Sequence, residues 1–167
     1  DVAVTVTGTA PTITELNAVA AATTGVVTAA ISDTVANLAA LNTGSADAIT
    51  ITVTDASAAA SDLSSVDGKT SVAVVATSVG TITGTAAALV TAAQSTGITT
   101  AANYAATVNS GTASVAQARI LDADTTGIIT ATIAEGDLAT LKTLTNANNN
   151  NVLSITVTDT TAAAADL

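Results

Sequence analysis

The sequence predicts an α/β fold: a repeat solenoid with a parallel β-sheet along one side and short helices along the other. Three observations predict it. The chain of 167 residues contains no Phe, Trp, Met or Cys, and its only aromatic residue is Tyr104. Long stretches of sequence recur at a spacing of about 102 to 104 residues. Strand-like alternation and helix-like apolar spacing follow one another repeatedly along the chain.

Composition predicts a narrow core. Hydrophobic residues make up 49% of the chain, yet the interior has to be filled by Ala, Val, Ile, Leu and the methyl groups of Thr. Large aromatic side chains, which bury roughly 150–250 Å² each, are missing apart from one. Small side chains suit a slender stack with closely spaced walls because protein interiors are close-packed.

The long repeat predicts one continuous solenoid segment over residues 1–167. Three stretches return at this spacing: ITITVTDASAAASDL at 49–63 as LSITVTDTTAAAADL at 153–167, TTGVVTAAI at 23–31 as TTGIITATI at 125–133, and GTAPTITELNAV at 8–19, in part, as GTASVAQARIL at 111–121. Because the sequence begins at Asp1 without Met and stops inside a repeated motif, we expect a window of a longer protein.

Short helices are predicted wherever an Ala-rich run carries Leu, Val or Ile at three- or four-residue spacing. This pattern gives seven turn-plus-helix starts: Thr9, Asp33, Asp55, Thr85, Thr112, Glu135 and Asp159. They divide the chain into about seven coils of 22 to 29 residues. Several runs end in a turn with glycine, such as Gly25, Gly97 and Gly127, where we expect the left-handed conformation that ends a helix.

Alternation marks the strands. The clearest one has apolar side chains on one face and threonines on the other: Ile49, Ile51 and Val53 against Thr50, Thr52 and Thr54. Successive strands that are joined through a helix run parallel. The alternative fold is an all-β solenoid in which the Ala-rich runs are loops, and the high helix propensity of Ala disfavours it.

Acidic residues at the turns are predicted to cap the helices that follow them. Asp33, Asp55 and Asp159 each come after a predicted strand and before an Ala-rich run. An Asp in this position accepts hydrogen bonds from unpaired helix amides and favours the positive end of the helix dipole.

Charge and composition exclude several classes of partner. Thirteen acidic residues against three basic ones give a net charge of −10, so nucleic acid, which needs clustered Lys and Arg, is not an expected partner. Anionic lipid headgroups are disfavoured for the same reason. Polar residues interrupt every apolar window well before the ~20 residues of a membrane span, so we expect no membrane insertion.

An enzyme is not expected. The chain has no His and no Cys, and a nucleophilic Ser or Thr would need Lys69 or Lys142 as its activator. Neither lysine lies in a recognisable motif, and Lys69 is interpreted as the solvated tip of a turn. We therefore predict no catalytic residues and no cofactor.

Calcium is the metal that the sequence could hold. DADTTG at 122–127 places Asp122, Asp124 and Thr126 at alternate positions, as at the start of a calcium loop. The position where such a loop needs a bidentate Glu is Ile133, and the first copy has AAATTG at 20–25 with no Asp. These three residues remain the candidate site, with turn and helix-cap roles as the alternative.

Threonine pairs suggest a different surface function. Five Thr-x-Thr pairs lie on predicted strands: Thr5 and Thr7, Thr50 and Thr52, Thr81 and Thr83, Thr130 and Thr132, Thr156 and Thr158. Such ladders resemble those of ice-binding solenoids, although the coil length here varies by several residues. The alternative is that Thr forms strands well and keeps an exposed face soluble.

The strings TTGVVTAAISDTVANLAALN, ITITVTDASAAASDL and SVDGKTSVAV resemble the modules of very large Thr- and Ala-rich repeat proteins, known mostly from cyanobacteria and other bacteria as cell-surface or secreted giants. The resemblance implies a structural role in an extracellular rod, fibre or layer, without catalytic residues. We expect self-association or adjoining repeats as partners, and the cell envelope or glycans beyond them. The alternative is a ligand-binding surface module, either a calcium-dependent adhesin or an ice binder.

Overall fold

The chain forms an α/β fold, as predicted, in a computed structural model that describes residues 1–8 and 10–161. All strand pairs within it are parallel. The ten strands of the described part are β1 (Val4–Thr5), β2 (Val27–Asp33), β3 (Ala48–Val53), β4 (Ser57–Ala59), β5 (Val74–Ala76), β6 (Thr81–Thr85), β7 (Ile98–Thr100), β8 (Ala105–Ser110), β9 (Ile129–Thr132) and β10 (Val152–Ser154).

The predicted Ala-rich helices in the described part of the chain are formed, so the all-β alternative is wrong. Six helices lie in the described ranges: α1 (Ile13–Ala22), α2 (Val35–Leu38), α3 (Ala60–Asp67), α4 (Ala86–Ala93), α5 (Val115–Asp124) and α6 (Leu138–Leu141). None of them has the length and hydrophobicity that a membrane span needs. Ala and Leu favour the helix in these runs because they lose little side-chain freedom there.

The prediction of one sheet is wrong, because the strands form two five-stranded sheets. Sheet A has the order β1-β2-β3-β5-β7, and sheet B has the order β10-β9-β8-β6-β4. In the middle of the chain a corner splits each apolar stretch into two short strands, such as β3 and β4, which join different sheets. Alternation predicts strands, but it does not show where a strand turns a corner.

The predicted alternation in β3 is confirmed. Ile49, Ile51 and Val53 are completely buried, whereas Thr50 and Thr54 are exposed. β-branched side chains fill a pleated, half-buried surface well, and the inward face of β3 is part of the main hydrophobic core.

The core lies between the sheets and the helices, and small residues dominate it. One inward row of sheet B alternates small and large side chains in register, Ala58, Ile82, Ala106 and Ile129, all of them buried. A large side chain therefore has small neighbours above and below it. Tyr104, the single aromatic residue, is also in this core and is 2% exposed.

Helix starts lie within a few residues of their predicted positions. The residues that cap the helices are Thr12, Thr34, Ala59, Thr85, Ser114 and Asp137, and all except Ala59 accept a hydrogen bond from the first helical turn. Thr85 is the cap that the sequence predicts. The predicted start at Thr9 and the helix expected after Asp159 lie outside the described residues.

Adjacent isoleucines test the core directly. Ile129 is 1% exposed and Ile128 is 46% exposed. Replacing Ile129 by Ala should lower the free energy of unfolding by about 2–5 kcal/mol, because it removes transfer energy and leaves a cavity. Ile128→Ala should change it by less than about 0.5 kcal/mol. Urea titrations of the two variants provide the comparison, and equal losses would contradict the assigned faces of β9.

Candidate functional site

The three residues predicted as a calcium site lie at the C-terminal end of α5. Asp122 and Asp124 belong to its last turn, and Thr126 follows the helix. Helix residues two positions apart do not face each other, so the alternating arrangement of a calcium loop is not formed by this pair. Within residues 1–8 and 10–161, no three acidic side chains form a group that could hold a metal ion.

Asp122 instead fixes the loop between α6 and β10. Its carboxylate accepts hydrogen bonds from the Asn151 side chain at 2.8 Å and from the Ala147 amide at 3.2 Å. Burial raises the pKa of Asp122, but hydrogen bonds from Thr145, Asn151 and Ala147 outweigh it and hold this pKa below its ordinary value. The charged carboxylate therefore acts as a structural acceptor.

Asp124 has a different partner. The hydroxyl group of the buried Tyr104 donates a hydrogen bond to its carboxylate at 2.7 Å. Burial, this hydrogen bond and the negative charge of Asp124 together raise the pKa of Tyr104 far above its ordinary value. The tyrosine is neutral and ties the end of α5 to the segment that leads into β8.

Acidic side chains cap helices across neighbouring units. We call each strand or strand pair, with the helix that follows it, a unit. The carboxylates of three acidic residues accept a hydrogen bond from the first amide of the preceding unit's helix: Asp55 from Val35 at 2.7 Å, Glu135 from Val115 at 3.0 Å, and Asp159 from Leu138 at 2.6 Å. Such amides lack a partner within their own helix.

The predicted direction of the cap is therefore wrong for Asp55, whereas the helix predicted after Asp159 lies outside the described residues. Parallel stacking places the turn after one strand beside the helix start of the preceding unit, 20 or 21 residues earlier in the chain. Asp33 behaves more as predicted, since it serves its own turn. Hydrogen bonds from the Asn37 side chain and the Thr34 amide lower the pKa of Asp33.

Hydroxyl groups join units at the other end of the helices. The Thr125 hydroxyl donates to the carbonyl oxygen of Tyr104 at 2.6 Å and accepts from the Gly127 amide at 3.0 Å. Thr70 donates to the Ile49 carbonyl at 2.7 Å and accepts from the Ile49 amide at 3.0 Å. A buried hydroxyl thus forms hydrogen bonds with backbone groups of the preceding unit. Leaving these buried groups unpaired would cost free energy.

The glycines at the helix ends have a different role from the predicted one. The glycines with positive φ are Gly8, Gly84 and Gly111, which precede helices. At Gly25, Gly97 and Gly127 an added Cβ would lie closer than 3.0 Å to atoms of the preceding unit, namely Val2, Asp67 and Tyr104. At Gly25 and Gly127 these atoms belong to the backbone, so close approach of two units, rather than a left-handed turn, requires glycine there. At Gly97 they belong to the Asp67 side chain, which can move.

The threonine pairs do not form one ladder. Thr5, Thr50 and Thr52 belong to sheet A, whereas the pairs at 81 and 83 and at 130 and 132 belong to sheet B. One outward row of sheet B carries three threonines in register, Thr83, Thr107 and Thr130. The neighbouring row pairs Thr81 with Ala105, so the second column is interrupted.

Lys69 is not the solvated tip of a turn. It is half-buried, and its Nζ donates to the carbonyl oxygen of Leu41 at 2.7 Å. This contact joins two turns that are 28 residues apart, which makes Lys69 a structural donor.

Comparisons with protein-family models, with characterised proteins and with solved structures found no match for this chain. Its function is therefore inferred from its own contacts and repeats.

A pair of glycine substitutions tests the close approach of units. Gly127→Ala should lower the free energy of unfolding by about 1–3 kcal/mol, the usual cost of overpacking. Gly44→Ala is the matched control, because no atom lies within 4 Å of the added Cβ, and it should be neutral or slightly stabilising. Thermal unfolding of both variants decides this, and a neutral Gly127→Ala would refute the steric role.

The caps between units can be tested at Asp55. Asp55→Ala should cost about 1 kcal/mol, the typical value for a lost helix cap. Asp55→Asn, which keeps an acceptor oxygen, should cost less. Amide hydrogen exchange should become faster at Val35 in the alanine variant. If exchange changes at Ala60 instead, the carboxylate caps the helix that follows it, and the assignment fails.

Proposed function

We propose that this chain is a segment of an α/β solenoid that serves as a structural part of a cell-surface or secreted rod, fibre or layer. Paired strands are offset by 20 to 24 residues along the chain, about one unit. Neighbouring helices such as α3, α4 and α5 contact each other in chain order. Each unit thus contacts the unit before it and the unit after it, as in repeat proteins.

The observation that carries the proposal is the recurrence of one kind of polar contact between consecutive units. An acidic residue reaches the helix of the preceding unit at three places, each time over 20 or 21 residues. Recurring contacts of this kind fix the register between units, so that a further unit can be added without new chemistry. The mechanism we propose is geometric: backbone pairing along the stack and burial between units.

The surface suits such a role outside the cell. The chain has a net charge of −10, which keeps stacked molecules soluble, and it resembles the Thr- and Ala-rich surface giants named above. We propose self-association or adjoining repeats as its partners, with the cell envelope or glycans beyond them. Catalysis is not part of this proposal, since the chain lacks His and Cys.

Ice binding is the second candidate, and the Thr83, Thr107 and Thr130 row on sheet B favours it. The interrupted neighbouring row weakens it, because a flat ice-binding surface would need regular columns. Purified protein should therefore show no thermal hysteresis. A measurable thermal hysteresis would favour ice binding over the structural role. A melting temperature that falls in EDTA would instead favour the calcium-dependent adhesin.

Insertion of further repeats tests the structural role. One or two extra copies of residues 23–124, placed between Asp124 and Thr125, keep every junction of the sequence intact. Each copy adds four units, so small-angle X-ray scattering should show a particle about 19 Å longer per copy, given strand spacings of 4.7–4.9 Å. Growth in all directions, as for a globule, would refute the solenoid.

A further inference from the structure

Exposed aliphatic side chains concentrate at the two ends of the stack. At the C-terminal end, Ile155 is 42% exposed and Val157 43%. At the N-terminal end Val2 is 70% exposed, and it borders an open groove of about 530 Å³ together with Val4 and Val19. Soluble proteins rarely leave grouped apolar side chains uncovered unless something docks there.

The first copy of the repeat shows what covers the C-terminal end. Ile155 and Val157 correspond to Ile51 and Val53 at the offset of 104 residues, and these are completely buried. In the first copy, the unit of β3, β4 and α3 is followed by the unit of β5, β6 and α4, which we call the middle unit. Its strand β5 pairs with β3 and contributes the buried residues Val74 and Ala76.

The second copy shows what covers the N-terminal end. Val2 and Val4 correspond to Tyr104 and Ala106 at the offset of 102 residues. The backbone contacts are the same, since Thr23 donates to the Val2 carbonyl as Thr125 does to that of Tyr104. Yet Tyr104 is 2% exposed and Ala106 0%, because the middle unit, with β6 paired to β8, lies over them.

One type of unit therefore lies beside the buried equivalents of both ends. The middle unit consists of β5, β6 and α4, at residues 74–93. It pairs with β3 and β4 on one side and with β7 and β8 on the other. Its two faces are the covers that the C-terminal and N-terminal ends lack.

Charge favours the middle unit over direct contact between two copies. Between Lys69 and Arg119 the chain carries no charged side chain, so this unit can approach an acidic end without repulsion. Direct stacking of one copy on another would bring the end that carries Asp159 against the end that carries Asp1, and like charges in close contact disfavour each other.

We propose that each open end binds an uncharged unit with the chemistry of residues 74–93, and that two copies of this chain do not stack on each other directly. The proposal rests on the solenoid described above. The proposed docking partner is a unit with small aliphatic side chains on both faces and with parallel edge strands.

The test extends the chain at its C-terminus by a copy of residues 64–103, which continues the repeat after Leu167. Amide exchange at 152–157 should slow at least tenfold, and the thermal midpoint should rise. The matched control carries the same extension with Asp at the copied positions of Val74 and Ile82, and it should leave exchange at 152–157 unchanged. In a second variant a copy of residues 63–102 precedes Asp1, and amide exchange is measured at Val2–Thr7.

Three outcomes would overturn the proposal. In the first, the extension is protected from amide exchange but residues 152–157 still exchange fast; in the second, the extensions at both ends stay unprotected. In the third, the parent chain sediments as a dimer and its residues 152–157 already exchange slowly. The third outcome would assign the end to a second copy. Insertion of residues 23–124 leaves both ends unchanged. A chain that lengthens on insertion but gains no protection on extension therefore overturns only the docking proposal.

Discussion

The distance between adjacent parallel strands, 4.7–4.9 Å, is the constraint on which the rest of this structure depends. At that spacing one unit's backbone lies against the next, so Gly127 has no room for a Cβ beside Tyr104. The same closeness lets one side chain satisfy the backbone of another unit, as Thr70 does for Ile49. Polar groups between units therefore contribute to stability through hydrogen bonds to the backbone of a neighbouring unit.

The fold class and several strands could be predicted from local patterns, since a pattern such as that of β3 records burial on one face. The division into two sheets could not, because the corner between β3 and β4 has no distinct signal in the alternation. The direction of the helix caps could not be predicted from the sequence either. Asp55 precedes a helix in sequence, but its partner is Val35 of the preceding unit, and only the stacking distance in space determines that choice.

The candidate calcium residues illustrate the same limit. DADTTG has the spacing of a metal loop, yet its two aspartates are in a helix, and each one is engaged by a hydrogen-bond donor from another segment. The signal that could have indicated this is Asn151, the last residue of a run of four asparagines at 148–151, which donates a hydrogen bond to Asp122. Asn151 also accepts a hydrogen bond from the amide of Ile129 at 2.9 Å, and in the first copy the corresponding residue, Asp47, accepts one from the amide of Val27. A side-chain oxygen at this position thus accepts a hydrogen bond from the neighbouring strand in both copies.

The row of Ala58, Ile82, Ala106 and Ile129 has a consequence for how such a chain can evolve. Because small and large side chains alternate from one unit to the next, loss or gain of a single unit in this region would place two isoleucines, or two alanines, against each other. Two alanines would leave a void, and two isoleucines would need the extra space that the paired and buried Ile31 and Ile51 have in sheet A. Duplication of the whole long repeat would instead keep the order of small and large side chains in this row.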